Sequence, residues 1–257
     1  MWLVRSGARA AVASDGHNVP ELLRTAGLTK RFRGLVANDN IDFMLNSGEL
    51  RCIIGPNGAG KTTLVSMISG HVAPSAGRIW FKGREITSFP VPRRARMGIA
   101  RKFQTPSVFD RLTAYQNLEL ASLGKVMSAA RRAAHLQEVL AITRLTELQR
   151  ILAAALSHGQ RQWLEIGMLL ANRAELLLLD EPTAGMTAAE TQATGKLVRM
   201  LASRYNLTVV IIEHDINFIR DLSAPTTVLH LGRVLISGSF AEVAGNEQVR
   251  DVYLGRE

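Results

Sequence analysis

The stretch Arg51-Cys52-Ile53-Ile54-Gly55-Pro56-Asn57-Gly58-Ala59-Gly60-Lys61-Thr62-Thr63-Leu64 decides how the rest of the chain is read. An apolar strand runs into a glycine-rich turn, and a Lys-Thr pair opens a helix. From Gly55 to Thr62 the spacing is G-x-x-x-x-G-K-T, the pattern of a phosphate-binding loop. Glycines bring backbone N–H groups close around a polyphosphate because no Cβ stands in the way. The helix that follows turns its unpaired N–H groups and positive dipole end toward the same anion. Lys61 is placed to reach the β- and γ-phosphates, and the Thr62 hydroxyl to ligate Mg²⁺. Gly55, Pro56, Asn57, Gly58, Ala59, Gly60, Lys61, Thr62 and Thr63 are therefore the expected nucleotide-binding residues.

Two further apolar runs belong beside this strand. Leu176-Leu177-Leu178-Leu179 and Val209-Val210-Ile211-Ile212 have the uniform character of parallel strands buried on both faces. They end in Asp180-Glu181 and Glu213-His214-Asp215. Ligands in open α/β sheets sit at the carboxyl ends of strands, so Gly55, Asp180 and His214 are expected to converge on one phosphate. Asp180 is suited to hold the Mg²⁺ shell, and Glu181 to deprotonate an attacking water.

Around this centre the chain reads in order. Residues 1–20 are expected to form a disordered extension, with the folded unit over 21–257. Leu28–Phe32 and Ile41–Leu45 suggest paired strands, Asn46-Ser47-Gly48 a turn, and Arg78–Phe81 another strand. Leu112–Leu156 is rich in alanine, leucine and arginine, and Ala129–Ile142 has helical spacing. This marks a helical subdomain inserted at about 106–172. The 257 residues carry 47% hydrophobic and 21% charged side chains, as in an ordinary globular protein. A single cysteine, Cys52, cannot build an internal disulfide and is expected to be inert and buried. No apolar run is long enough to cross a bilayer.

The net charge of +9 raises nucleic acid as a partner. Its densest source is Arg93, Arg94, Arg96, Arg101 and Lys102, where only Phe103 supplies an aromatic. Nucleic-acid stripes interleave aromatic side chains on which bases stack. The stretch is therefore expected to be a solvated or partner-facing surface, with no nucleic acid bound.

Leu156-Ser157-His158-Gly159-Gln160 reads locally as a capping box, Ser157 with Gln160, opening a helix. It also resembles the signature motif Leu-Ser-Gly-Gly-Gln of the ABC ATPases, with His158 in place of a glycine. The resemblance covers about Glu21 to Glu257. It implies an α/β P-loop ABC ATPase core with a parallel sheet, an antiparallel β subdomain and an inserted helical subdomain. By match, Phe32 takes the place of the residue that stacks on adenine. Gln104 matches the Q-loop glutamine, which contacts the metal and the attacking water, and His214 the switch histidine. Ser157, Gly159 and Gln160 match the signature that completes a neighbouring subunit's site. Thr187, in Ala184-Gly185-Met186-Thr187, stands where the family ends its D-loop in aspartate.

Several short strings narrow the match. Glu49–Ile54, Arg101-Lys102-Phe103-Gln104, His158, Trp163–Met168 and Ala184–Thr187 look like the urea-type ATPase, of the importer branch that handles branched-chain amino acids and short amides. The resemblance implies ATP and Mg²⁺ as cofactors and a position at the cytoplasmic face of the inner membrane. It also implies a second ABC ATPase subunit as partner in a heterodimer, two integral-membrane permease subunits and, indirectly, a periplasmic substrate-binding protein. The alternatives are a branched-chain amino acid importer ATPase and a soluble ABC ATPase acting on nucleic acid or ribosomes. One P-loop and no sustained heptads argue against the soluble class. A nucleotide switch without catalysis is disfavoured by the intact Glu181 and His214.

Overall fold

The four consecutive leucines divide their side chains between two cores. Leu176 and Leu178 pack with Ile53, Val210 and Ile212 on one face of the sheet. Leu177 and Leu179 pack with Cys52, Ile54, Val209 and Ile211 on the other. Successive strand residues point to opposite faces, so a strand covered on both sides must be apolar throughout. That is why the run shows no alternation.

The computed structural model describes residues 20–103 and 107–254. All of the expected extension but Pro20, together with Gln104, lies outside the described residues. The antiparallel pair β1 (Glu21–Phe32) and β2 (Leu35–Asn46) sets Leu28 opposite Ile41. Next come β3 (Leu50–Ile54), α1 (Lys61–Ser69), β4 (Ala76–Phe81), β5 (Arg84–Glu85), α2 (Val91–Met97) and β6 (Ile99–Lys102). Between β6 and the leucine strand lie α3 (Ala114–Ser122), α4 (Ala129–Ile142) and α5 (His158–Ala171). The chain continues through β7 (Leu176–Asp180), α6 (Ala188–Tyr205), β8 (Thr208–Ile212), α7 (Ile216–Leu222), β9 (Thr226–His230) and β10 (Arg233–Gly238). Helices α8 (Phe240–Gly245) and α9 (Glu247–Leu254) end the described chain.

The fold is α/β, with two sheets among the described residues. One is antiparallel, in the order β2-β1-β4-β5. The other runs β10-β9-β3-β8-β7-β6, parallel from β9 to β6 with β10 antiparallel at its edge. Helix α1 is buried between the sheets through Leu64, Met67 and Ile68. Helices α3 to α5 cover the other core through Leu118, Val139, Leu140 and Leu164. The inserted helices thus stand on the sheet face opposite the antiparallel layer.

The basic stretch departs from the expected solvated surface. Arg93 and Arg96 are exposed, but Arg94 and Lys102 are buried and the Arg101 side chain is only 6% exposed. Arg94 donates to the carbonyls of Met67, Ile68, Thr87 and Phe89 at 2.6 to 2.9 Å. Two of these are carbonyls at the end of α1, which have no partner within the helix. Burial pushes the Arg94 guanidinium down to about 10. A guanidinium that satisfies four backbone acceptors is a structural cap, whatever the charge pattern of its neighbours suggests.

Candidate nucleotide site

Strand β3 lies between β9 and β8, and β8 lies against β7 in parallel register, with Asp180 beside Ile212. The carboxyl ends of three adjacent strands therefore open on the same side. The glycine loop leaves β3 there and closes at Gly60, which precedes α1 with φ +98. A Cβ on Gly60 would lie 2.3 Å from the Ala37 carbonyl oxygen. No other residue type fits that approach, which seats the loop against β2.

A cavity of about 330 Å³ runs from Phe32 and Ala37 along Asn57–Thr63 to Glu181. It joins the proposed base-stacking residue, the loop and the Glu181 carboxylate in one space. Phe32 is 44% exposed, and Lys30 Nζ stands 4.9 Å from its ring centre. Lys61 is folded back, donating to the carbonyls of Gly55 at 2.5 Å and Pro56 at 3.0 Å. Its ammonium is held below the ordinary lysine range by burial, against the opposing pull of Glu181 and Asp180. An anionic phosphate in the loop would offer this cation a stronger partner than two neutral carbonyls. A larger cleft of about 960 Å³ lies between α6 and α7, and no P-loop residue lines it.

The acidic strand ends are organised by contacts the sequence does not announce. Asp180, 6% exposed, is ion-paired with Arg101 Nη2 at 3.1 Å. Arg101 also donates to Ser66 Oγ at 2.7 Å and lies over the Phe103 ring. Glu181 is held in the left-handed region at φ +47, its N–H donating to the Ile212 carbonyl at 2.9 Å. Such a conformation costs a non-glycine residue of order 1–3 kcal/mol and clusters at functional sites. His214 Nδ1 stands 3.6 Å from Glu181 Oε1. Buried Glu213 accepts from the N–H and hydroxyl of Thr183 at 3.1 and 2.5 Å, fixing the turn after Glu181. Asp215 is spent as the N-cap of α7.

Mg²⁺ keeps several waters and takes one or two protein carboxylates or hydroxyls beside phosphate oxygens. Asp180 and the exposed Thr62 at the start of α1 fit that donor set. Among the described residues no cluster of three acidic, histidine or cysteine ligands forms a separate cage.

Ser157 caps α5 as the local pattern predicts. Its hydroxyl accepts from Gln160 N–H, and the Gln160 side chain accepts from Ser157 N–H at 2.9 Å. The Gln160 amide is thereby committed to the cap. Ser157, Gly159 and Gln160 do not line the P-loop cavity of their own chain. A Cβ on Gly159 would meet Glu190 Oε1 at 2.3 Å, so a side chain there would push the Glu190 carboxylate aside. Cys52 is fully buried in β3, and burial first, then Glu213, pushes its thiol up to about 12.

The family model for "ABC transporter" matches residues 38–184, more than half of the chain. The chain is 35% identical over 253 residues to the high-affinity branched-chain amino acid transport ATP-binding protein BraF of Pseudomonas aeruginosa, covering 91% of this chain and 98% of that protein. It is 32% identical to LivG of Escherichia coli, of the same description and coverage. It is also 34% identical to the lipopolysaccharide export system ATP-binding protein LptB of Acidithiobacillus ferridurans, over 91% of this chain and 97% of that one. Among solved structures, the ADP conformation of MJ1267, an ATP-binding cassette of an ABC transporter, superposes with a TM-score of 0.84 at 27% identity. That match covers 92% of this chain and all of the other. A dimeric post-hydrolysis cassette, MJ0796 with ADP and Pi, superposes at 0.75 with 25% identity, over 85% of this chain and 99% of that one. Strand order, loop geometry and these likenesses agree, and the chain belongs to the ABC transporter family as one of its ATP-hydrolysing cassettes.

Proposed function

We propose that this cassette drives a membrane importer for branched-chain amino acids. It would sit at the cytoplasmic face of the membrane, paired with a second cassette and docked on two permease subunits fed by a periplasmic binding protein. The observation that carries the hydrolytic part is the placing of Glu181, with His214 3.6 Å away, on the same cavity as Lys61 and Thr62. Among the described residues no helix is long and apolar enough to cross a membrane, so the transport path would belong to other chains. BraF and LivG support the cargo class, whereas LptB, at similar identity, carries an export name. Overall identity therefore does not by itself assign a cargo.

The proposed roles go with this reading, and the shared cavity supports those of Phe32, Lys61, Thr62 and Glu181. Phe32 stacks on the base, and the N–H groups of Asn57–Thr63 together with Lys61 hold the phosphates. Thr62 and Asp180, with Gln104 by its match to the Q-loop, would hold Mg²⁺, which would supply positive charge against that of the phosphates. Glu181 takes the proton of the attacking water, and His214 stands beside it to contact the γ-phosphate. Ser157 and Gly159 face the nucleotide of the paired cassette, consistent with their position outside their own cavity.

Urea or a short amide is the second reading of the cargo. Two of the strings that favour it, His158 and Ala184–Thr187, touch each other, His158 Nε2 lying 2.9 Å from the Ala184 carbonyl oxygen. Uptake of labelled leucine and labelled urea by cells lacking this chain separates the readings. Loss of leucine uptake alone supports the first, and loss of urea uptake alone replaces it with the second. Full uptake of both, with the chain absent from membrane fractions, would contradict an importer role.

A further inference from the structure

Two departures from the family's usual pattern, His158 in the signature and Thr187 after the Asp-Glu strand end, lie on segments that touch. His158 Nε2 lies 2.9 Å from the carbonyl oxygen of Ala184. A carbonyl cannot donate, so the imidazole must carry its proton on Nε2 and donate it. The amide nitrogen of buried Gln162, one turn along α5, lies 3.3 Å from the same nitrogen; two donors cannot pair, so with the proton on Nε2 the Ala184 carbonyl is the acceptor and Gln162 only packs against the ring. Gly185 sits at φ +74, and a Cβ there would stand 3.1 Å from His158 Nε2, so the ring lies directly on this backbone.

A second contact lies one residue further on. Glu190 Oε2 accepts from the N–H and hydroxyl of Thr187, both at 2.9 Å, closing the capping box of α6. Its other oxygen packs on Gly159 so closely that any side chain there would displace it. The first turn of α5 and the segment Ala184–Glu190 are thus joined within one chain at two points. An aspartate at position 187 could accept from backbone N–H groups, but it could not donate to Glu190 as the Thr187 hydroxyl does.

We infer that His158 is a positioning residue that fastens the signature turn to the loop after Glu181, so that Ser157 and Ala184–Thr187 meet a paired cassette as one surface. A glycine at position 158 has no side chain to make this tie. The inference rests on the reading that Ser157 faces the partner's nucleotide. The tie itself is a property of the single chain. The loop carries Glu181 at its start, so the tie also links the hydrolytic residue of one site to the signature residue serving the other.

The first test needs only the isolated chain. Nitrogen NMR of the histidine ring should show the Nε2–H tautomer at His158, hydrogen-bonded to a carbonyl; an Nδ1–H tautomer overturns the tie. The second test uses the assembled complex, with Glu181→Gln arresting turnover, and measures the ATP concentration that half-closes the cassette pair. His158→Ala should raise that concentration about two- to tenfold, the loss of one hydrogen bond between prepositioned groups. His158→Gln, which places an N–H near the same point, should restore it to within about twofold of the parent. Equal thermal midpoints of the three variants show that folding is not what changed. An alanine variant that closes like the parent, or a glutamine variant as impaired as alanine, overturns the inference. If the Glu181→Gln parent does not close with ATP at all, the facing-pair reading fails and this role of His158 falls with it, whatever the NMR shows.

Discussion

Arg101 Nη2 lies 3.1 Å from Asp180 Oδ2, and both side chains are less than one-tenth exposed. The residue proposed to hold Mg²⁺ is thus already paired with a cation from the neighbouring strand. Removing one partner of a buried pair leaves the other charged without compensation, which typically costs about 3–5 kcal/mol. Arg101→Met is expected to lower the unfolding free energy by an amount of that order. The double variant Arg101→Met/Asp180→Asn should recover part of the loss, because no net charge is then stranded. Urea denaturation of the four proteins of the cycle measures this. Equal stability of parent and Arg101→Met would mean that solvent already screens the pair.

Phe32 is expected to contribute affinity rather than chemistry. Aromatic stacking on a base is worth about 1–3 kcal/mol by alanine substitution in single-stranded nucleic-acid complexes. Phe32→Ala should accordingly weaken ATP binding about five- to a hundredfold, with a smaller effect on turnover at saturating ATP. Titration with a fluorescent ATP analogue gives the number. Unchanged affinity would assign the base to another side chain, and Leu35 lines the same cavity.

What could be read from the sequence was local or periodic. The leucine and valine-isoleucine runs fix both-face burial, the capping box at Ser157 needs only residues three apart, and Ala129–Ile142 forms a helix over the residues whose spacing suggested one. The burial of Arg94 and Lys102 was not legible. Arg94 finds its acceptors at Met67 and Ile68, 27 and 26 positions away, and Lys102 finds Glu165 on α5. A buried cation looks like a solvated one until its acceptors are placed. Glu190 was missed for the same reason, since only the fold brings it onto Gly159. The P-loop motif named its residues but could not show Lys61 turned onto the loop's own carbonyls.

Cys52 provides a pH and unfolding probe. Burial pushes its folded thiol up to about 12, from 9.0 in the unfolded chain. The folded state holds the proton more tightly, so this contribution to stability is fully present below 9.0 and is lost as pH rises toward about 12. The thiolate is the reactive form, so the folded protein should resist a maleimide at neutral pH and react at the rate of global unfolding. Alkylation across a urea series checks this. Rapid labelling without denaturant would show that β3 opens locally around Cys52.

The account stands most directly on Glu181 as the group that activates water. The decisive measurement is single-turnover hydrolysis of bound ATP by Glu181→Gln, with ATP affinity measured on the same sample. The substitution keeps size and hydrogen bonding and removes the carboxylate. Affinity is expected to stay within about twofold of the parent while phosphate release falls about 10²–10⁴-fold, the range of a lost general base. Phosphate release near the parent rate, with ATP fully bound, would contradict the account.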